Sequence, residues 1–446
     1  MINTDYVFIG SGAASSFAIA WLIKNTNASI TVIEAGERTY NRFNKDDLFC
    51  PSSKDFVSSS MMAIQTGGSL NLWSGRLGLL DKSDFESHQM YSKDFFSSYE
   101  DYLFWASEVL KDHFDFKIDE LTNQIVISSE LEAHISRWRT PPLNFKNQLI
   151  EWSESGRIKL IEETEVVKLK EDSEYIGLIT SHEQLLIAKS STIILGAGSL
   201  GNWKILKNSG YIEEDFVQQF SYHPKATIGR VTLTDALSSS FLCDRKHGLD
   251  STRYGFKLSE EFKNQLGISS NSYVQIESAL ASRIFSVMET FQLRYSLENI
   301  LVKRLMESVG VYLFSMVNRM NIQKGRFNLK IYVDNTPDND TLTFNNGKFN
   351  FKPYQIQSDR NSILNAFKDA LEKRGVNLEL KTNDSIDCSL HSHLIGGLTN
   401  IDKNKTPENL EILGLGEFPR CGNINPTLSL AAYSYKKIKQ LNGDSK

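Results

Sequence analysis

The stretch "DYVFIGSGAASSFAIAWL", Asp5 to Leu22, sets a short apolar run against a Gly-Ser-Gly turn and then a run of small residues. Tyr6 to Ile9 reads as a buried strand, Ala13 to Lys24 as a helix and Ser29 to Glu34 as a second strand. Together they predict a βαβ unit. The turn is a GxGxxG pattern with Ser15 in the third glycine place. Gly10 permits the tight turn and Gly12 lets the backbone approach a pyrophosphate; the third place needs only a small side chain where helix meets strand. The first helical turn, with Ala13 and Ala14, offers free N–H groups and a positive dipole end to phosphate. Glu34 ends the second strand 22 positions after Gly12, the spacing at which a carboxylate meets a ribose hydroxyl. A solvated strand-end carboxylate is the weaker alternative. The motif points to a dinucleotide without saying which.

Bulk properties narrow the class. At 446 residues the chain exceeds one small core, and two interleaved or sequential domains are expected. A formal charge of −5 with dispersed Lys and Arg argues against a nucleic-acid partner, which needs a basic face. Cys50, Cys243, Cys388 and Cys421 lie far apart with no CxxC spacing, so neither a metal ribbon nor a disulfide framework is expected. The amino terminus lacks a basic n-region, and no apolar run reaches the roughly 18–20 residues of a membrane span. These features predict a cytoplasmic protein without a membrane span.

Further strands are predicted over Lys159 to Leu169 and Tyr175 to Ala188, as a small antiparallel sheet. "STIILGAGSLGNWKILKNSG" repeats the apolar strand, Gly-rich turn and helix of the amino terminus. From about Pro224 the texture changes to a long amphipathic segment, Leu280 to Met306, read as a core face roofing a cavity. Strand patterns follow at Val309 to Val317, Phe327 to Val333 and Thr341 to Phe344, with a helix over Asp359 to Arg374. The tail returns to Gly-rich motifs and closes on a helix from Thr427 to Leu441. One domain assembled from separated segments, plus a second with an antiparallel sheet, fits this order.

"GGSLNLWSG", Gly67 to Gly75, suits a backbone pressed close to a flat ligand. With "LDKSDF" after it, this stretch resembles bacterial glucose–methanol–choline (GMC) oxidoreductases carrying a GG[TS]xNxWGG run. The resemblance recurs in order along the chain: "IILGAGSLGNWKIL", "SYHPKATIG" with Tyr222 where Asp is usual, "YVDNTPDNDTLTF", "HLIGG" and "EFPRCGNINPTLSLAAYS". It implies an α/β fold: a Rossmann-like FAD-binding domain assembled from separated segments, plus an antiparallel-sheet α+β substrate-binding domain. The implied boundaries are 1–80, 151–223 and 385–446 for the first, and 81–150 and 224–384 for the second. Gly67, Gly68, Ser69, Asn71, Leu72, Trp73, Val167, Gly196, Gly198, Gly414, Asn425, Pro426 and Thr427 would join Gly10, Gly12, Ala13, Ala14, Ser15 and Glu34 around FAD. A resident flavin explains Gly-rich segments beyond the first turn, which an NAD site would not require. Relatives that attach the flavin do so through a histidine where this chain has Leu72, so a non-covalent flavin is expected.

The resemblance also implies chemistry: oxidation of an alcohol by removal of the hydroxyl proton as hydride passes to flavin N5. The base falls on His393 of the HxxGG box, and its partner on Asn425. His391, two residues before His393, is the rival base or an orienter. His223 reads as structural. The expected partners are a small-molecule alcohol, such as a sugar or polyol, and an electron acceptor that the sequence leaves open among oxygen, quinone and redox protein. Two departures, "LTNI" after the box and Cys421 with Asn423 before "NPT", support an alternative: a flavin-binding module with altered or lost catalysis.

Overall fold

The computed structural model describes residues 1–38, 44–57, 62–72, 75–80, 82–87, 95–114, 116–122, 126–139, 142–223, 225–232, 245–247, 250–268, 271–278, 326–333, 341–353, 360–380, 390, 393–399, 401–420 and 424–443. Segments Leu280 to Met306 and Val309 to Val317 lie outside them.

Four apolar residues, Tyr6–Ile9, form the central strand of a five-stranded sheet. Its order is Leu410–Ile412, Thr192–Leu195, Tyr6–Ile9, Ile30–Ile33, Lys159–Ile161, with every pair parallel. Tyr6 lies opposite both Ile30 and Thr192. Parallel strands covered on both faces need apolar residues at every position rather than alternate ones. Accordingly Phe8 and Val32 enter one core with Phe17, Tyr102, Val109 and Leu428. Val7, Ile9 and Ile33 enter the other, with Leu200, Trp203 and Leu206. Phe17 is fully buried on the helix Ala13–Asn25, a burial worth roughly 1.5–3 kcal/mol. That helix ends at Thr26, whose N–H and hydroxyl both reach the Leu22 carbonyl at 2.8 Å. It packs on the closing helix Thr427–Gly443, which in turn packs on Tyr99–His113.

The reading of Lys159 to Leu169 as part of a small antiparallel sheet is half right. Val166–Glu171, Tyr175–Thr180 and Gln184–Ala188 form that sheet. Lys159–Ile161 instead joins the parallel sheet beside Ile30–Ile33. A three-residue apolar run carries no local sign of its partner, so long-range pairing decides.

A second sheet has eight antiparallel strands. Its main path runs Asn377–Leu380, Lys225–Thr232, Arg326–Tyr332, Tyr273–Ser278, Asp250–Leu258, Leu131–Trp138, Arg76–Leu77, with Arg245–His247 paired to Asp250–Leu258. Alternation gives it two unlike faces. Leu131, Phe256, Val274, Leu329 and Ile331 pack with Ile363, Phe367 and Leu371 of the helix Arg360–Glu372. The opposite face carries Arg76, His134, Ser136, Tyr273 and Gln275, all buried. Among the described residues no helix is long and apolar enough to cross a membrane.

Candidate active site

The amino-terminal turn is built by glycines from three segments. Gly10 has φ +93°, and a Cβ there would lie 2.7 Å from the Gly196 carbonyl oxygen. A Cβ on Gly68 would lie 2.7 Å from the Gly12 Cα, so the glycine pair of the second segment rests directly on the first turn. Serine in the third glycine place has a matching cause. A Cβ on Gly196 would fall 2.1 Å from Ser15 Oγ, so glycine on the neighbouring strand end makes room for the serine.

Ser11, between the two glycines, joins three segments. Its N–H and Oγ–H both donate to Glu34 Oε2, at 2.8 and 2.6 Å, and its Oγ accepts the Gly67 N–H at 2.9 Å. The Gly36 N–H donates to Glu34 Oε1 at 2.9 Å. Glu34 is 5% exposed, not solvated. Burial pushes its carboxyl up from the ordinary range, and the hydrogen bonds from Ser11 and Gly36 oppose that shift. The Ala35 N–H adds a fourth hydrogen bond to the carboxylate, which has about four acceptor positions.

The helix after this turn has no side-chain cap at Gly12 and no acidic residue in its first turn, while Ser11, Ala14 and Ser15 are buried. Buried first-turn N–H groups without a cap need an external acceptor. A phosphate supplies one, so the residues present fit a dinucleotide.

The other predicted cofactor residues lie as follows, segment by segment. Asn71 Nδ2 donates to the carbonyls of Thr66 and Gly68, both at 2.9 Å, while its Oδ1 is buried without a partner. Ser69 is exposed and accepts from the Ala63 N–H; Leu72 is half-buried. Val167 sits at a register shift in its strand, its carbonyl taken by Asn208. Gly198 begins the helix Gly198–Asn208 at φ +77° with nothing within 4 Å of a Cβ. Gly414 faces Asn202, a Cβ there lying 3.6 Å from its Nδ2. Trp73 and His391 lie outside the described residues, as do Cys421 and Asn423.

At the carboxyl end, His393 is half-buried with φ +72°, a conformation that costs a non-glycine residue about 1 kcal/mol or more and concentrates at functional sites. The turn after it is held by close approach. A Cβ on Gly396 would lie 2.0 Å from the Gln219 carbonyl oxygen. Backbone bonds tie Ile395 to Ser221 in both directions, at 2.9 and 3.0 Å. Ser199 on the helix Gly198–Asn208 donates its hydroxyl to the Leu394 carbonyl.

Asn425 caps the closing helix: its Oδ1 accepts the Thr427 N–H at 3.2 Å and the Thr427 hydroxyl at 2.6 Å. Pro426 and Thr427 are buried behind it, and Leu430 N–H returns to the Pro426 carbonyl. With its oxygen engaged by Thr427, Asn425 keeps Nδ2 as its donor.

Three residues near this end were given no site role by the sequence reading. His223, read as structural, has its ring 5.8 Å from that of His393, edge to face. Its Nε2 lies 2.8 Å from the Ile424 carbonyl; a carbonyl only accepts, so Nε2 carries the proton. His134 is fully buried and held neutral: desolvation drives its pKa well below normal, with the charges of Arg76 and His223 adding to the shift. Arg76 lies on the same face, its Nε donating to Ser136 Oγ at 3.2 Å. The His-Pro pair at 223 was the one local signal; Arg76 and His134 meet only through sheet register.

No protein-family model matches the chain, and no curated protein does. Among solved structures, it is similar to pyridoxine 4-oxidase from Mesorbium loti, with a TM-score of 0.55 at 12% identity over 98% of this chain and 99% of that chain. At that identity the likeness speaks for the fold: a mixed α/β architecture combining a parallel sheet with antiparallel sheets, shared along the whole length.

Proposed function

We propose that the chain binds FAD non-covalently and oxidises a primary or secondary alcohol to the carbonyl, as a GMC-type oxidoreductase. The observation that carries this reading is the convergence of Gly10–Gly12, Gly67–Gly68 and Gly196 on one buried, uncapped helix start. The shared fold with an oxidase supports it. Gly10, Gly12, Ala13, Ala14 and Ser15 would hold the pyrophosphate and Glu34 a ribose hydroxyl. Gly67–Trp73, Val167, Gly196, Gly198, Gly414 and Asn425–Thr427 would hold the rest. When bound, FAD supplies the hydride acceptor. His393 takes the hydroxyl proton of the substrate, and Asn425 Nδ2 donates a hydrogen bond to the same oxygen. His223, its tautomer fixed by the Ile424 carbonyl, lines the base. The interleaved division at 1–80, 151–223 and 385–446 against 81–150 and 224–384 belongs to the same proposal.

Purified protein should be yellow, with the colour leaving in the supernatant after acid precipitation; colour kept in the pellet overturns non-covalent binding. A sugar, polyol or other alcohol should bleach the flavin anaerobically, and readmitted oxygen should restore it only if oxygen is the acceptor. His393→Ala should keep the colour and abolish bleaching. Full bleaching by that variant removes His393 as base, and a yellow protein that no alcohol bleaches favours the binding-module reading.

A further inference from the structure

On the polar face of the eight-stranded sheet, which by register also carries Lys257 and Lys330, Arg76 sits among aromatic rings. Tyr273 and Tyr332, paired across neighbouring strands, stack with centroids 4.6 Å apart and planes within 3°. His134 stacks on Tyr273 at 3.9 Å and 18°. The stack crosses the strand between them at Gly255, where a Cβ would press 3.2 Å from the Tyr273 ring. The Arg76 guanidinium carbon lies 5.4 Å from the centroids of both tyrosines. Arg76 is 8% exposed, and its Nε bond to Ser136 fixes the plane of its fork.

This wall belongs to the same neighbourhood as the histidines. Gly78, two residues past Arg76, lies against Ile424, a Cβ there coming 3.6 Å from the Ile424 side chain. Ile424 is the residue whose carbonyl holds His223, and it precedes Asn425. An independent observation points to a ligand. Gln275, on the face of Tyr273 by strand alternation, is 3% exposed and its Oε1 is buried without a hydrogen-bond partner. A buried acceptor left unmade is costly, and a hydroxyl of a bound molecule would satisfy it.

We propose that this wall selects a hydroxylated carboxylate as substrate, its carboxylate anchored by the Arg76 fork and a second hydroxyl donating to Gln275 Oε1. The inference rests on the alcohol-oxidation reading and deepens it. A planar guanidinium fixed at Nε and flanked by rings matches a carboxylate in geometry and charge. The stacked rings of His134, Tyr273 and Tyr332 line the guanidinium's surroundings with apolar ring edges ending in polar groups.

Matched pairs test it on the flavin-loaded protein: gluconate against sorbitol, and 4-(hydroxymethyl)benzoate against 1,4-benzenedimethanol, in anaerobic flavin reduction. The carboxylates should be favoured in apparent affinity by about tenfold or more, the scale of one charge-assisted bidentate contact. Arg76→Gln should collapse that ratio toward one, and Arg76→Lys should restore part of it. Gln275→Leu should raise the apparent dissociation constant for gluconate more than for 4-(hydroxymethyl)benzoate, which has no second hydroxyl. Succinate, which has no carbinol, should perturb the flavin absorption of the wild type and much less that of Arg76→Gln, a readout independent of turnover. Equal or better binding of the neutral partners, or a succinate response unchanged in Arg76→Gln, overturns the proposal. Failure of every alcohol to reduce the flavin, with the succinate response intact, overturns the oxidation reading and leaves the carboxylate site standing.

Discussion

The turns at Gly10–Gly12 and at His393–Gly397 both force the chain through left-handed backbone, but different forces hold them. Around the first, Ser11 and Glu34 bind Gly36 and Gly67 through four hydrogen bonds at 2.6–2.9 Å, all buried. Around the second, close contact is added to backbone hydrogen bonds with Ser221 and Leu415: Gly396 presses on the Gln219 backbone and Gly397 on Val217, whose Cγ1 would be 2.4 Å from an added Cβ. The first region should therefore answer to lost hydrogen bonds and charge, the second to added volume. A turn locked by polar groups keeps donors and acceptors poised for a polar ligand, whereas one locked by contact fixes where a strained side chain such as His393 is carried.

The largest expected effect is volume in the second turn. Gly396→Ala adds a Cβ 2.0 Å from backbone at φ +87°, and strain plus overpacking should cost about 3 kcal/mol or more. Urea unfolding would show it as a lowered midpoint or an insoluble chain. Gly198→Ala is the control: φ is similar at +77°, but nothing lies within 4 Å, so only backbone strain of about 1 kcal/mol remains. Equal losses in the two variants would mean that φ, not contact, sets the cost.

Acid should give the next largest effect. His113 packs its ring edge-on to Phe17, on the helix that follows the first turn, and lies 2.7 Å from the Tyr435 hydroxyl. Burial lowers its pKa from 6.5 to about 4, with Lys24 and Arg139 adding to the shift and Asp112 opposing it. The folded state thus resists a proton that the unfolded chain accepts. The associated stability is complete above pH 6.5 and lost as pH falls toward 4, about 3 kcal/mol at the low end. His113→Gln, measured by denaturation from pH 7 to 4, should flatten that part of the profile; an unchanged slope would place the acid sensitivity elsewhere.

The two regions also differ in how far they could be read in advance. Gly10, Gly12, Gly67 and Gly68 were legible because each close approach demands a missing side chain, and glycine records that demand locally. The βαβ unit was legible because strands buried on both faces must be apolar throughout. His393 was singled out through its box. By contrast Arg76, His134, Tyr273 and Tyr332 stand on four strands far apart in sequence, and only cross-strand register assembles them. Asn425 was read as the partner of the base. Two residues on, Thr427 takes the oxygen, a side-chain cap competing with the functional role.

Removing one oxygen from each region gives the sharpest test. Ser11→Ala deletes the hydroxyl that donates to Glu34 and accepts from Gly67, leaving that N–H without its acceptor in a buried turn. A loss of about 1–3 kcal/mol follows, with weaker retention of the proposed flavin on dilution as the second readout.

Ser221→Ala does the opposite. Ser221 pairs its backbone with Ile395, but its Oγ is buried with no hydrogen-bond partner. Alanine keeps the backbone pairing, adds no atom to the crowded turn and removes a polar group that was buried at a cost. Stability should stay level or rise by up to about 1 kcal/mol in urea denaturation. The second turn is held by backbone hydrogen bonds and close contact, so the unpartnered Ser221 hydroxyl contributes nothing to its shape. A Ser221→Ala loss comparable to that of Ser11→Ala would show that polar groups lock both turns, and the contrast between them would fail.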